Sequence, residues 1–269
     1  METGINDGGR VTYTTYLPLV MNNASFITTP PVISENKGIA LVENNLNDLD
    51  SVGATWYYTW TPYPTIKEDT RYVPMSYYGE FNDDLQVDYD GFILFLNEPN
   101  NPSPYGANIA PDLAAVRYRE FYLKRPLCKL VVGNTSMWAT GWFYDFINYL
   151  KRFGDVSMPK YVGIHGYIEG DFDYLTVEFW WNQLRKCWEA EAGYRPIFWV
   201  TEFAETTGNV EQFKNLLNVI KRNDWITRYA YFTNRYDKDA AYIPSNWYDF
   251  GLFEDNILSP VGETYKLFY

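Results

Sequence analysis

The chain alternates short apolar runs with longer segments in which apolar residues recur at helical spacing. Eight apolar runs lie at 38–43, 54–60, 71–77, 91–97, 129–134, 161–167, 196–203 and 228–233. Amphipathic segments follow the later runs, at 112–124, 141–153, 173–191 and 210–222. Because an apolar strand followed by an amphipathic helix is the repeating unit of parallel α/β folds, the pattern predicts a (β/α)8 TIM barrel.

The two ends of the chain and one connection differ from this pattern. Residues 1–36 are rich in Thr, Asn, Pro and Gly, which is typical of an extended linker or leader, and 37–269 are expected to form a single domain. Ser259-Pro260 predicts the start of a final helix, with Ser as the cap and Pro at the first position. The connection 61–70 contains two prolines and is typical of a loop.

The composition favours a neutral partner. Aromatic residues make up 19% of the 269 residues, far more than an aliphatic barrel interior requires. Since aromatic rings suit the CH faces of pyranose sugars, some are expected to line a cleft that binds a polysaccharide or oligosaccharide. The formal net charge of −12 would repel nucleic acid. No apolar run approaches the roughly 18 residues of a membrane span, and we expect a monomer.

Neither a metal site nor a cofactor is expected. Cys128, Cys187 and the single histidine, His165, do not have the clustered spacing of metal ligands, and no Gly-rich phosphate-binding motif occurs. Met1 is followed by polar residues rather than by the apolar segment of a secretion signal. The Thr- and Pro-rich leader nevertheless favours an extracellular protein from which any signal peptide is absent or removed.

Two of the apolar runs end in a glutamate: Glu98 after the fourth run and Glu202 in the seventh. The carboxyl ends of all strands meet at one face of a TIM barrel, so these carboxyl groups can lie opposite each other. A pair of carboxyl groups about 5–5.5 Å apart cleaves a glycosidic bond with retention of configuration. The residues alone also allow Glu98 to be a structural carboxylate in a turn and Glu202 to be the ion-pair partner of Arg228.

Seven motifs link the chain to a known family. In chain order they are Trp56-Tyr57-Tyr58-Thr59-Trp60, Tyr72-Val73-Pro74-Met75, Leu96-Asn97-Glu98-Pro99-Asn100, Ala107-Asn108-Ile109-Ala110-Pro111, His165-Gly166-Tyr167, Trp199-Val200-Thr201-Glu202-Phe203 and Arg228-Tyr229-Ala230-Tyr231-Phe232. In this order they resemble glycoside hydrolase family 128, also known as the Asl1-like glycosyl hydrolase catalytic domain, of clan A. The resemblance covers about 38–269 and implies a TIM barrel that cleaves β-1,3-glucan.

The resemblance also implies roles for individual residues. Glu98 would be the acid/base and Glu202 the nucleophile, and Asn97 would hydrogen-bond the sugar 2-hydroxyl. His165 and Tyr167 would orient Glu202 or the sugar. From the residues alone, His165 could equally be a core histidine with satisfied hydrogen bonds.

The chain departs from the family pattern at three positions. Asn100 stands where an acidic residue is common, Leu96 where Phe is common, and Gly166 where a bulky aromatic residue is usual. Because loss of that ring could widen a subsite, linkage preference is the weakest inference from the resemblance.

Further aromatic residues complete the expected substrate-binding set. Trp56, Tyr58 and Trp60 alternate along one run, so they share a face of which part could be barrel interior. The rings expected to contact sugar are Tyr58, Trp60, Trp138, Trp199 and Tyr231. Glu205, by contrast, is expected to be a solvated loop charge.

Three hypotheses follow for the function. The first is a retaining endo-β-1,3-glucanase. The second is the same chemistry on another β-glycan, such as a mannan or a mixed-linkage glucan. The third is a noncatalytic carbohydrate-binding barrel, although binding alone does not require two facing carboxyl groups.

Overall fold

The computed structural model describes residues 35–64, 69–80, 89–236, 247 and 250–269. The chain divides into Met1–Pro30, which lies outside the described residues, and Pro31–Tyr269. All but the last two positions of the predicted linker 1–36 therefore also lie outside them.

Eight parallel strands form one sheet that curves into a barrel. They are β1 (Lys37–Ala40), β2 (Trp56–Tyr58), β3 (Met75–Ser76), β4 (Phe92–Phe95), β5 (Lys129–Thr135), β6 (Tyr161–Ile168), β7 (Ile197–Glu205) and β8 (Ile226–Phe232). The sheet order β2-β1-β8-β7-β6-β5-β4-β3 brings the first strand against the last. Parallel pairing of Tyr57 with Tyr72, just before β3, joins the two edges. The predicted (β/α)8 TIM barrel is confirmed.

Helices cover the outside of the barrel where the sequence has amphipathic segments. They are α1 (Leu46–Val52), α2 (Pro111–Lys124), α3 (Thr140–Leu150), α4 (Tyr174–Ala192), α5 (Val210–Arg222) and α6 (Pro260–Leu267). A short hairpin of β9 (Phe253–Glu254) and β10 (Ile257–Leu258) precedes α6. Caps mark the helix ends: Asn209 accepts from two backbone N–H groups of α5, and Ser259 accepts from Gly262 N as its sequence position predicts.

The segments on either side of β3 contain no helix in the parts that the structure describes, 59–64, 69–74, 77–80 and 89–91. This agrees with the loop predicted for 61–70. Within the described residues, no helix combines the length and the apolar character that crossing a bilayer requires.

Candidate active site

A cavity of about 900 Å³ opens at the carboxyl ends of the strands. Its walls carry six of the residues singled out in the sequence: Trp60, Asn97, Glu98, Trp138, Tyr167 and Glu202. Strand ends far apart along the chain supply these side chains, because parallel strands all point toward the same face. Aromatic rings and carboxyl groups therefore share one pocket, as the sequence predicted.

Glu98 lies on a turn of unusual backbone conformation after β4. Leu96 and Glu98 have φ values of 71° and 42°, in the left-handed region that side chains other than Gly seldom adopt. Hydrogen bonds hold this turn: Leu96 N donates to Ser76 O at 2.9 Å, and Glu98 N to Asn134 O at 2.8 Å. Glu98 is 8% exposed, and its Oε2 accepts from Asn101 Nδ2 at 2.8 Å.

Glu202 is held by three donors from two other strands. Tyr58 Oη and Trp60 Nε1 both donate to Oε1 at 2.8 Å, and Tyr167 Oη donates to Oε2 at 2.5 Å. Burial and the neighbouring Glu202 raise the pKa of Tyr58 and Tyr167 well above the ordinary value, so both phenols keep their protons and donate. Hydrogen bonds to a carboxylate are stronger than neutral ones, so these three bonds fix the orientation of Glu202.

His165 lies between the two glutamates and is fully buried. Its Nδ1 is 2.9 Å from Glu98 Oε1 and 3.3 Å from Glu202 Oε2. Burial lowers the pKa of His165, but Glu202 and the hydrogen bond with Glu98 raise it by more, so the net direction is upward. The sequence alternative of an uninvolved core histidine does not describe this position.

The same three residues are the set of described side chains that could hold a metal ion. One ligand atom from each of Glu98, His165 and Glu202 lies within 4.8 Å of the others. The carboxylate oxygens, however, already accept from Asn101, Tyr58, Trp60 and Tyr167. The arrangement is therefore that of two facing carboxyl groups with a shared histidine.

Asn97 and Trp138 are placed to meet a ligand. Asn97 is 4% exposed, and its Oδ1 has no hydrogen-bond partner among the described residues. A buried carbonyl oxygen without a partner is costly, and a sugar hydroxyl would satisfy it. Trp138 is 54% exposed at the pocket rim, where its ring lies against those of Trp180 and Phe172.

Three predicted sugar contacts lie elsewhere. Tyr58 is fully buried and contacts Glu202 beneath the pocket. Trp199 is 1% exposed and packs inside the barrel, with its ring centroid 4.6 Å from that of Phe92. Tyr231 faces the helices, where its ring lies 5.5 Å from that of Tyr265. None of these rings presents a face to the cavity, so the predicted platform roles of Trp199 and Tyr231 do not agree with the structure.

Two expectations about charges also change. Arg228 lies over the Trp199 ring, 4.6 Å from its centroid, rather than beside Glu202. Glu205 is fully buried at the end of β7 and accepts from the backbone N–H groups of Thr207 and Asn209. It therefore closes its own loop and is not a solvated charge.

Several pocket residues escaped the sequence prediction. Asn101 directly follows the third motif, and Phe232 is the neighbour of Tyr231 on the opposite face of β8. Trp247 lies on the pocket wall, and its Nε1 donates to Glu169 Oε2 at 3.1 Å. Burial raises the pKa of Glu169. The hydrogen bond from Trp247 lowers it by less, so the net direction is upward. The alternation of strand faces does not say which of Tyr231 and Phe232 turns toward the cavity, and Trp247 lies in none of the seven motifs.

Solved structures of similar fold include β-1,3-glucanases. An endo-β-1,3-glucanase of glycoside hydrolase family 128, subgroup I, from Amycolatopsis mediterranei in complex with laminaritriose matches with a TM-score of 0.66 and 18% identity, over 87% of this chain and 99% of that one. A subgroup II endo-β-1,3-glucanase from Pseudomonas viridiflava matches with a TM-score of 0.63 and 22% identity, over 87% and 98%.

A third match is a subgroup III enzyme from Blastomyces gilchristii, a curdlan-specific exo-β-1,3-glucanase in complex with glucose. It has a TM-score of 0.62 and 23% identity, over 86% of this chain and 97% of that one. At these identities the likeness establishes a shared fold. No curated protein matches the sequence.

The sequence itself matches a family description. The family model for the glycosyl hydrolase catalytic core matches residues 38–265, which span nearly the whole barrel from β1 to α6. The fold is that of family 128, as the ordered motifs predicted. This chain belongs to the glycosyl hydrolase catalytic core family.

Proposed function

We propose that this protein is a retaining endo-β-1,3-glucanase, with Glu98 as the acid/base and Glu202 as the nucleophile. The observation that carries the proposal is the meeting of Glu98, His165 and Glu202, whose ligand atoms lie within 4.8 Å of one another at the open end of the barrel. Retaining enzymes hold their carboxyl groups about 5–5.5 Å apart and inverting enzymes about 6.5–9.5 Å apart. The short separation supports retention.

The hydrogen bonds support the assignment of roles. A nucleophile must be ionised and correctly aimed, and Glu202 accepts three hydrogen bonds from Tyr58, Trp60 and Tyr167. Glu98 accepts from Asn101 and contacts His165, and it borders the cavity. With fewer donors aimed at it, Glu98 is better suited to carry a proton and release it.

The reaction then takes two steps. In the first, Glu202 attacks the anomeric carbon while Glu98 gives its proton to the leaving glycosidic oxygen, which produces a covalent glycosyl-enzyme and a shortened glucan. In the second, Glu98 removes a proton from water, the water oxygen attacks the anomeric carbon, and the bond to Glu202 breaks. Asn97, through its free Oδ1, is positioned to accept from a sugar hydroxyl during both steps.

Three observations support a β-1,3-glucan as substrate. The ordered motifs resemble family 128, and the three solved structures described above are endo- or exo-β-1,3-glucanases. The net charge of −12 favours an uncharged glycan. Endo action is proposed because the subgroup I and II enzymes are endo-acting, whereas the subgroup III enzyme is exo-acting.

The test is hydrolysis of laminarin and curdlan by the wild type and by Glu98→Gln and Glu202→Gln. Each variant is expected to lose at least about 10³-fold in kcat, because each removes a group that moves a proton or forms a bond. Glu205→Gln is the matched control, since Glu205 is a buried carboxylate on the same strand that binds only its own loop. Proton NMR of the first product should show the β-anomer.

Several outcomes would overturn the proposal. Full activity in Glu98→Gln or Glu202→Gln would remove that residue from the mechanism, and an initial α-anomer would replace retention by inversion. Activity confined to mannan or mixed-linkage glucan would keep the chemistry and change the substrate. Measurable glucan affinity without any product would favour the noncatalytic barrel.

A further inference from the structure

Two strands of the barrel contain an extra residue next to the same neighbouring strand. Between β5 and β6, Gly133 pairs with Gly163 and Thr135 with Ile164, which leaves Asn134 as the extra residue. Between β6 and β7, Ile164 pairs with Val200 and His165 with Glu202, which leaves Thr201. Such bulges change the direction of side chains and are frequent beside active sites.

The two extra residues meet across β6. Thr201 Oγ1 donates to Asn134 Oδ1 at 3.0 Å, and both side chains are fully buried. Gly163 makes room for this contact, because a Cβ atom there would stand 1.9 Å from Asn134 Oδ1. A side chain at position 163 would therefore displace the amide.

Asn134 supports the turn that carries Glu98. Its carbonyl oxygen accepts from Glu98 N at 2.8 Å, and its Nδ2 donates to Leu96 O at 2.9 Å and to Phe95 O at 3.2 Å. Nδ2 also lies 3.2 Å from Val131 O within its own strand. Asn134 itself has a φ of 46°, which Asn tolerates better than most residues. Asn134 thus supports the left-handed turn at both Leu96 and Glu98, in addition to the bonds that the turn makes to Ser76 and Tyr77.

Thr201 sets the direction of Glu202. Trp199 packs inside the barrel, whereas Phe203 contacts Phe213 and Tyr265 on the helix side. Residues four apart share a face in a regular strand, so their opposite directions result from the bulge at Thr201. The same bulge turns Glu202 into the pocket, next to an inward-facing Thr201.

We propose that Asn134 and Thr201 are positioning residues that fix the separation of the two carboxyl groups through the hydrogen bond between their side chains. This inference rests on the proposed roles of Glu98 and Glu202. The bond joins Asn134, which supports the turn of Glu98, to Thr201, which precedes Glu202 on β7. Its loss would allow the turn and the end of β7 to move independently. A shift of about 1 Å between reacting groups costs about 10²-fold in rate.

Thr201→Val tests the proposal because it keeps the shape and removes the hydroxyl. We expect kcat on laminarin to fall about 10- to 100-fold with little change in KM, and Thr201→Ser to restore most of it. Thr206→Val is the matched control: Thr206 is also buried at the end of β7, and its hydroxyl donates to Ile168 O at 2.9 Å without touching either glutamate. Thr206→Val should lower the free energy of unfolding by about as much as Thr201→Val does and leave kcat unchanged.

A second measurement does not require activity. His165 is the only histidine and contacts both glutamates through Nδ1. Its ring resonances therefore overlap with those of no other histidine and report on Glu98 and Glu202. Since Glu202 and Glu98 raise the pKa of His165, we expect Thr201→Val to lower the midpoint of its NMR titration and Thr206→Val to leave it in place. If the wild type hydrolyses no glycan, the proposed function fails while this titration still tests the positioning role.

The proposal is overturned if Thr201→Val keeps wild-type kcat and an unchanged His165 titration while its melting temperature falls like that of Thr206→Val. The hydrogen bond would then be structural only. Should the buried valine prevent folding, Thr201→Ala removes the hydroxyl without adding bulk, and the same two measurements decide.

Discussion

The barrel holds buried charge at both of its ends, and the two sites are built differently. At the amino end, Lys37 opens β1 and is fully buried, with Nζ donating to Val52 O at 3.1 Å and to Tyr265 O at 2.9 Å. At the carboxyl end, Glu98 and Glu202 are 8% and 5% exposed and border a cavity. Lys37 is enclosed by protein, whereas the glutamates face space that a ligand can fill.

The hydrogen-bond partners of Lys37 and those of the two glutamates have different roles. Lys37 bonds to carbonyl oxygens in the last turns of α1 and α6, where the helix dipoles favour a cation, so its contacts complete the fold. The glutamates receive donors from Asn101, Tyr58, Trp60 and Tyr167 and share a contact with His165, beside space that a ligand can enter. Burial of a charge alone therefore does not identify a functional site. Two carboxyl groups held together beside a cavity do, because a pair of acids at one bond is what glycoside cleavage requires.

The sharpest test of this contrast is Tyr167→Phe. The change removes one donor to Glu202 and is expected to lower kcat about 10²- to 10³-fold, as loss of a single donor to a reacting charge commonly does. The free energy of unfolding should change by less than about 1 kcal/mol. The buried hydroxyl is removed together with its hydrogen bond, and Glu202 keeps the donors Tyr58 and Trp60. Rates on laminarin and urea unfolding measure the two effects.

Tyr118→Phe supplies the control for that experiment. Tyr118 is buried in α2, and its hydroxyl donates to Ser157 O at 3.0 Å, away from the cavity. It should leave kcat unchanged. If Tyr167→Phe lost stability but kept its rate, the carboxyl end of the barrel would resemble the amino end, and the contrast would disappear.

Lys37→Met examines the other end of the barrel. The carbonyl oxygens of Val52 and Tyr265 would lose their buried donor, at a cost of about 1–3 kcal/mol each. Burial lowers the pKa of Lys37 from 10.5 to about 8, so removing the desolvated ammonium recovers about 3 kcal/mol at pH 7. We expect a net loss of about 1 kcal/mol in the free energy of unfolding at pH 7, with kcat unchanged.

The pH dependence of this difference separates the two terms. Between pH 8 and 10.5 the unfolded chain binds a proton at Lys37 that the folded chain does not, so the wild type gains stability relative to Lys37→Met as pH rises. The difference should reach about 3 kcal/mol at pH 9.5. Lys129→Met, at an exposed lysine that begins β5, should stay within about 0.5 kcal/mol at both pH values. If the difference in free energy of unfolding between the wild type and Lys37→Met were the same at both pH values, the lowered pKa of Lys37 would be contradicted.

The strands and most helices follow from the sequence because their signals are local. Apolar runs give β4 to β8, and spacing and caps give α5 and α6 within a few residues. Glu98 and Glu202 could be located as strand-end charges for the same reason. The position of Trp199 along the barrel axis could not be predicted. An inward-facing ring can lie either in the barrel interior or in the pocket, and only closure of the barrel decides.

The remaining differences depend on pairing between distant strands. Tyr231 and Phe232 are neighbours on β8, and the contacts of β8 with the rest of the barrel decide which one faces the cavity. Asn134 and Thr201 are bulge residues, which exist only relative to the partner strand β6. Their sequence positions carry no local signal for a shared hydrogen bond. A single residue of shift reverses every side chain in a strand, so such details escape periodicity.

Removal of metal is expected to have the smallest effect and bears on the same contrast. Glu98, His165 and Glu202 could form a ligand set, but Tyr58, Trp60 and Tyr167 already donate to Glu202, and His165 Nδ1 already contacts both carboxylates. Acid/base cleavage by two carboxyl groups uses no metal ion, so we expect initial rates on laminarin to be unchanged by excess EDTA. Loss of activity that one divalent cation restores would contradict this. The cluster would then be a cation site, as the carbonyl groups around the Lys37 ammonium are, and the acid/base pair would need another explanation.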